Sequence, residues 1–229
     1  MRKLLTPLAL ALVTLLAIAS PAVAGVVNGG FETGDFTGWG TAGDTAVVTA
    51  GCSTIFPNHC ASPTQGAYMA LLTAGAVDLG TLSTILGTNL SAVYPGGTYG
   101  SAIWQDVPLS AGDVFSFDWN FLGNDYNPFD DTGAFTAYVF MTGANGSFYL
   151  ASVNGVGDYG TSGWQHWAGI ATTTSTYRVG FVVFNDLDNA LSSQLLIDDV
   201  QATPEPGTLV LLGSGILGLG GLVRRKLNV

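Results

Sequence analysis

The sequence predicts an all-β fold built as a single β-sandwich, and three observations predict it. The first is alternation. Between Val114 and Leu122, Phe115, Phe117, Trp119 and Phe121 share one parity, while Ser116, Asp118 and Asn120 share the other. A period of two with aromatics on one side is a half-buried strand. The second is punctuation. The chain holds 32 glycines, and Gly-, Asn- and Ser-rich stretches separate short β-branched or aromatic runs, the pattern of a sandwich or barrel. The third is length: residues 25–202 suffice for one domain with a real core and not for two.

Taken in order, the chain opens with Arg2-Lys3, an apolar run from Leu4 to Ile18 and the small-residue site Ala22-Val23-Ala24. That is a secretory signal peptide over 1–24, removed before Gly25. Gly25 to Trp39 reads as an edge strand followed by turns, with Phe31, Phe36 and Trp39 capping the core. Thr45–Ala50 and Ala67–Leu72 read as short strands. From Val77 to Leu90, Val77, Leu79, Leu82, Ile85 and Leu86 fall near helical spacing, which predicts one short helix or an irregular cover.

Ser101–Leu109 resumes strand, ended by Pro108, which cannot donate to a ladder. Val114–Leu122 follows after a turn. Phe135–Met141 and Ser147–Val153 form a hairpin through Asn145-Gly146. Trp164–Ala171, Tyr177–Phe184 and Leu195–Gln201 complete eight or nine strands, with Thr172–Thr176 as a polar linker. Cys52 and Cys60 read as a local disulfide clipping a loop, as befits an exported chain. A metal site built on them would have His59 as its one neighbouring ligand.

Charge narrows the function. Of 16 acids all but Glu205 lie between the two ends, and of six Lys and Arg only Arg178 does. So acidic a surface lacks the basic footprint that nucleic acid or anionic lipid requires. A body without lysine also excludes Schiff-base chemistry.

The tail, residues 203–229, has three abutting parts: Pro204-Glu205-Pro206, an uncharged apolar segment over 207–223, and Arg224-Arg225-Lys226. The segment is long enough to just span a bilayer as a helix. The basic cluster favours the cytoplasmic side. This order resembles the PEP-CTERM sorting signal of bacterial surface proteins. The resemblance implies recognition of Pro204, Glu205 and Pro206 with Arg224 and Arg225, transient inner-membrane anchoring, processing by an exosortase-type enzyme, and delivery to the cell envelope or extracellular matrix.

A second resemblance brackets the body. Asn28-Gly29-Gly30-Phe31-Glu32-Thr33-Gly34 with Trp39, and Leu195-Leu196-Ile197-Asp198-Asp199-Val200, are similar to the first and last segments of bacterial jelly-roll modules of the galactose-binding-like type, which include carbohydrate-binding modules. The likeness implies a jelly roll and a structural Ca²⁺ held by Glu32, Asp198 and Asp199. Terminal strands that pair would bring those acids close together. Asp199 shares the parity of Ile197, so one of the two aspartates is expected to face inward, where a lone carboxylate is costly.

The second candidate site is the long loop Gly123–Gly133, with Asp125, Tyr126, Asp130 and Asp131. Ring faces beside amides and carboxylates are what sugar recognition uses. Trp164 joins them as a ligand-binding candidate, and Asn185–Asn189 could lie at the same end. Catalytic motifs are weak: His59 and His166 are the only histidines, and no nucleophile elbow, zinc-protease or phosphate-loop pattern occurs. The reading is a non-enzymatic exported surface or matrix protein with a structural or adhesive role in envelope or exopolysaccharide. A carbohydrate-binding module is the alternative, and a glycoside-active enzyme the remaining one.

Overall fold

The alternating segments pair into two antiparallel sheets. The structure, a computed structural model, describes residues 25–137, 146–204, 213, 215 and 216. In chain order the elements are β1 (Gly40–Ala42), β2 (Asp44–Val48), β3 (Gly51–Cys52), β4 (Cys60–Ala61), β5 (Met69–Thr73) and β6 (Val77–Asp78). Helices α1 (Leu79–Leu86) and α2 (Leu90–Val93) come next, then β7 (Gly97–Leu109), β8 (Val114–Leu122), β9 (Thr132–Ala137) and β10 (Ser147–Ser152). The short α3 (Val153–Val156) precedes β11 (Gln165–Ile170), β12 (Ser175–Asp186) and β13 (Gln194–Thr203).

One sheet runs β1-β7-β12-β9-β10 with β6 added on β7, and the other runs β11-β8-β13-β5-β2. Every pairing is antiparallel. Consecutive strands repeatedly change sheet: β7 lies in the first, β8 in the second, β9 and β10 in the first, β11 in the second, β12 in the first and β13 in the second. This is the β-sandwich that the alternation predicts, with jelly-roll crossovers.

The core sits between the sheets. Phe115, Phe117 and Phe121 of β8 point into it, as their parity requires, and meet Phe135 of β9 and Phe181 of β12. Phe117 lies 4.7 Å from Phe135 and 4.8 Å from Phe181 between ring centroids. Such separations suit offset and edge-on aromatic packing.

The expected edge strand at the start of the domain is absent. Residues 25–39 form turns, because Asn28 and Phe31 take positive φ values of 52° and 56° that no strand accommodates. Buried Gln105 ties this segment down: its Oε1 accepts from the Val27 N–H, and its Nε2 donates to the carbonyls of Val27 and Gly38. The aromatics do what the sequence predicts. Phe31 and Trp39 are buried, and Phe36 packs on the same cluster.

Helix α1 fulfils the helical spacing of Val77–Leu90. Asp78 caps its start by accepting from the Thr81 N–H at 2.9 Å, and Gly87, in the left-handed region, ends it. Its Leu79, Leu82 and Leu86 cover the outer face of the first sheet at Ala102, Ala134, Val182 and Phe184.

The second sheet is covered differently. Cys52 and Cys60 form the expected disulfide, which closes the β3–β4 flap. The flap and Trp164 lie over Met69, Leu122 and Leu196 on that sheet's outer face. Gly51 permits the close approach, since a Cβ there would strike Leu196. Strands β9 and β10 pair as expected, while the rest of the expected Phe135–Met141 strand and Asn145 fall outside the described residues.

Candidate functional site

Four segments meet at one end of the sandwich: the flap loop 53–59, the β8–β9 connection 123–131, residues 157–161 after α3, and the β12–β13 connection 187–193. The hub is buried Asn124. Its N–H donates to Ser193 Oγ at 3.0 Å, its Nδ2 to the Ser192 carbonyl at 2.8 Å, and its Oδ1 accepts from Ser53 Oγ. Beside it the Tyr159 N–H donates to the Asp125 carbonyl at 2.9 Å. Ser53 Oγ in turn accepts from the Phe56 N–H at 2.9 Å and sets the flap loop against the hub.

A row of aromatic rings crosses this end. Centroids of His59 and Phe56 are 5.5 Å apart, Phe56 and Tyr159 5.1 Å, Tyr159 and Tyr126 5.7 Å, and Tyr126 and Phe129 5.6 Å. Phe56 is 36% and Tyr126 39% exposed, so the row presents ring surface to solvent. The connections at this end also hold left-handed backbone. Tyr159, Leu187 and Leu191 have φ of 55°, 66° and 52°, a region that bulky L-residues enter at a cost of about 1–3 kcal/mol each.

Polar groups flank the row. The Asn127 N–H donates to Asp158 Oδ1 at 2.9 Å, and Asn127 Nδ2 to Asn154 Oδ1 at 2.6 Å. The Asn154 N–H donates to Asp130 Oδ1 at 2.7 Å. The Asn127–Pro128 peptide in this loop is cis.

Two of the three loop acids, Asp125 and Asp131, are buried. Asp131 accepts from the Asp186 N–H on Oδ1 at 3.1 Å and from the Ser193 N–H on Oδ2 at 3.0 Å, and so clamps both ends of the β12–β13 connection. Burial outweighs these bonds and pushes its pKa up to about 7, with the charge of Asp125 adding to the rise. The Asp125 pKa is raised by burial and by Asp188, against the Tyr126 N–H that bonds Oδ1.

The structure thus brings Asp125, Tyr126, Asp130 and Asp131 together and places Trp164 apart from them. The Trp164 indole N–H donates to the Ser62 carbonyl at 2.9 Å, and its ring packs on the outer face of the second sheet. Phe56, Asp158 and Tyr159 belong to the site, and sequence reasoning missed them. Phe56 looked like part of a disulfide loop. The Asp158-Tyr159 pair sits in a glycine-rich stretch (Gly155, Gly157, Gly160), and that turn chemistry was the available signal.

Two of the acids expected to hold Ca²⁺, Glu32 and Asp198, accept hydrogen bonds from the 64–68 loop. Asp198 is fully buried, and its Oδ2 accepts from the Thr64 N–H, the Gln65 N–H and Thr64 Oγ1, while Oδ1 accepts from the Asp199 N–H. Those bonds hold Asp198 to the 64–65 segment. Glu32 Oε1 accepts from the Ala67 and Tyr68 N–H groups at 2.8 and 2.9 Å. Among the described residues no three His, Cys, Asp or Glu side chains group as metal ligands. Glu32 and Asp198 converge on the 64–68 loop, which they clamp. Parity misled at Asp199: a bulge between Asp198 and Gln201 breaks the alternation, Asp199 takes φ 49°, and Asp198 is the buried member, covered by the loop rather than by the core.

His166 Nδ1 lies 2.7 Å from Asp118 Oδ1 on the outer face of the second sheet. Pro204 is the last described residue of the domain. Glu205, Pro206, Arg224 and Arg225, the expected 207–223 span and the 1–24 signal peptide lie outside the described residues, save 213, 215 and 216. Among the described residues no helix is long and apolar enough to cross a membrane.

The family model of the PEP-CTERM protein-sorting motif matches residues 202–226, where the sequence places that signal. No curated protein matches the chain. Among solved structures the chain is similar to the carbohydrate-binding module TmCBM61 in complex with β-1,4-galactotriose, at 20% identity and a TM-score of 0.43, over 79% of this chain and 97% of that one. It is similar to a xylan-binding domain from Paenibacillus barcinonensis at 12% identity and a TM-score of 0.37, over 76% and 90%. It is also similar to a cyclase from Fischerella sp. TAU at 12% identity and a TM-score of 0.39, over 79% and 97%. Likenesses this distant, to binding modules and to an enzyme alike, assign neither ligand nor activity.

Proposed function

We propose, from the PEP-CTERM sorting motif at 202–226, that this chain is an exported surface or matrix protein whose sandwich binds polysaccharide without cleaving it. The motif supports export as a membrane-anchored precursor that an exosortase processes. One observation carries the binding half of the reading: the ring row from Phe56 through Tyr159 and Tyr126 to Phe129, flanked by Asp158, Asn127 and Asn154. Sugar rings present C–H faces that stack on aromatics and hydroxyls that bond amides and carboxylates. A row of several rings at spacings near 5–6 Å suits a chain of sugars better than a single small molecule. An acidic surface with one paired arginine favours neutral or cation-bridged polysaccharide over strongly anionic polymer.

The test is a glycan array of plant and bacterial polysaccharides probed with the full chain in detergent. Binding that falls at least tenfold in Tyr126→Ala and stays in Trp164→Ala supports the reading. Equal binding by wild type and Tyr126→Ala, or release of sugar fragments from any bound polysaccharide, refutes it.

A further inference from the structure

At this end of the sandwich two buried oxygens have no hydrogen-bond donor among the described residues. Asp125 is 1% and Asn185 0% exposed, yet Asp125 Oδ2 and Asn185 Oδ1 are unpartnered. Native interiors rarely leave such acceptors unsatisfied. Both side chains are held by their other atom. Asp125 Oδ1 accepts from the Tyr126 N–H at 2.8 Å, and Asn185 Nδ2 donates to Ser192 Oγ at 3.1 Å. Their free oxygens are therefore fixed in place.

The two sit among carboxyl groups. Asp131 lies within reach of the Asp125 charge, Asp188 acts on Asp125, and Asp130 acts on Asp186, the neighbour of Asn185. No lysine or arginine offsets them, because Arg178, the single one between residues 25 and 203, is paired with Asp106 at 2.8 and 2.9 Å and with the Ile85 carbonyl. Asp131 and Asn185 belong to one unit, since the Asp131 carboxylate holds the N–H groups of Asp186 and Ser193 on either side of the connection.

We propose that this loop end binds one divalent cation, Ca²⁺, through Asp125 Oδ2 and Asn185 Oδ1, with Asp188 as the further carboxylate. Hard oxygen ligands of mixed kind, carboxylate, amide and main-chain carbonyl, are what Ca²⁺ takes, and its variable geometry tolerates loops. Among the described residues no three His, Cys, Asp or Glu side chains group as metal ligands, so the proposed site rests on two carboxylates and the Asn185 amide oxygen. The cation neutralises the acidic end and, through Asp125, fixes the backbone that carries Tyr126. It is distinct from the Glu32 and Asp198 region, whose oxygens are engaged by the 64–68 loop. The proposal concerns the end of the sandwich that carries the proposed binding site, but does not require that sugars bind there.

The experiment is calorimetric titration of CaCl₂ into the full chain in detergent, first stripped with chelator and free of any polysaccharide. The expected result is one site per chain, with affinity at least tenfold weaker in Asp125→Asn and unchanged in Glu32→Gln. The Asp125→Asn side chain keeps its shape and the Tyr126 bond, and its melting curve in chelator establishes that it folds. Asn185→Asp, which keeps the ligand oxygen, is expected to retain binding. No binding by the wild type, or a loss that follows Glu32→Gln instead of Asp125→Asn, overturns the proposal. The same samples on the glycan array separate the two readings: polysaccharide binding can fail while Ca²⁺ binding stands, and the reverse.

Discussion

Asp131 carries the clearest pH signature of any single residue. Its folded-state pKa of about 7 stands above the ordinary carboxylate value of 3.8, so between the two the native state holds a proton that the unfolded state has lost. Stability from this group is therefore present below about pH 4 and declines as pH rises towards 7. In chelator, Asp131→Asn is expected to flatten that decline, as read from urea unfolding midpoints across this range; an unchanged slope would remove Asp131 as its cause. Asp198 is buried against donors. Asp198→Ala leaves the N–H groups of Thr64 and Gln65 without their acceptor and is expected to cost on the order of 1–3 kcal/mol, measured by urea unfolding. Which aspartate would be buried was not legible in the sequence. Strand parity marked Asp199, whereas the 64–65 loop docks on Asp198 from far along the chain and a bulge follows Asp198 in the strand. Tyr126 was legible because a ring sat among acids in a long loop. Phe56 and Tyr159 were not, because only folding brings the flap and the α3 connection beside it.

Among the elements, β8 was the most legible and is the most central. Its alternation needs no partner to be read, and the structure returns Val114–Leu122 with Phe117 between Phe135 and Phe181. Phe117→Ala is expected to cost about 3–5 kcal/mol, measured by urea unfolding, as large-to-small changes in aromatic cores do. The opening segment was misread for a physical reason: apolar residues at 26, 27, 31 and 36 look strand-like, but positive φ at Asn28 and Phe31 forces turns that Gln105 then secures. The flap was legible as a disulfide loop, and its purpose was not. It shields Met69, Leu122 and Leu196 and positions Phe56 in the ring row. Replacing Cys52 and Cys60 by serine is expected to cost about 2–3 kcal/mol in thermal melts and to weaken polysaccharide binding more than Trp164→Ala does. Binding unaffected by loss of the disulfide would detach the flap from the site.

At the scale of the whole molecule, the tail and the sandwich divide the work. The tail is an address: its Pro-Glu-Pro, uncharged span and basic cluster were readable from residue order alone, and the family match falls on the same residues, 202–226. Replacing Pro204, Glu205 and Pro206 by alanine is expected to leave the unprocessed chain in the inner membrane, seen by immunoblotting of cell fractions. The sandwich is the cargo, with one outer face roofed by α1, the other partly covered by the flap, and aromatic and acidic residues gathered at one end. Its sheets follow from sequence patterning, whereas the end that carries the site is made by four connections meeting, which no local pattern encodes. The most direct measurement is an NMR footprint of the best array-selected oligosaccharide on the full chain in detergent. The expected result is that shifts of Phe56, Tyr126 and Tyr159 change most; changes confined to Trp164 and His166 on the outer face of the second sheet would contradict it.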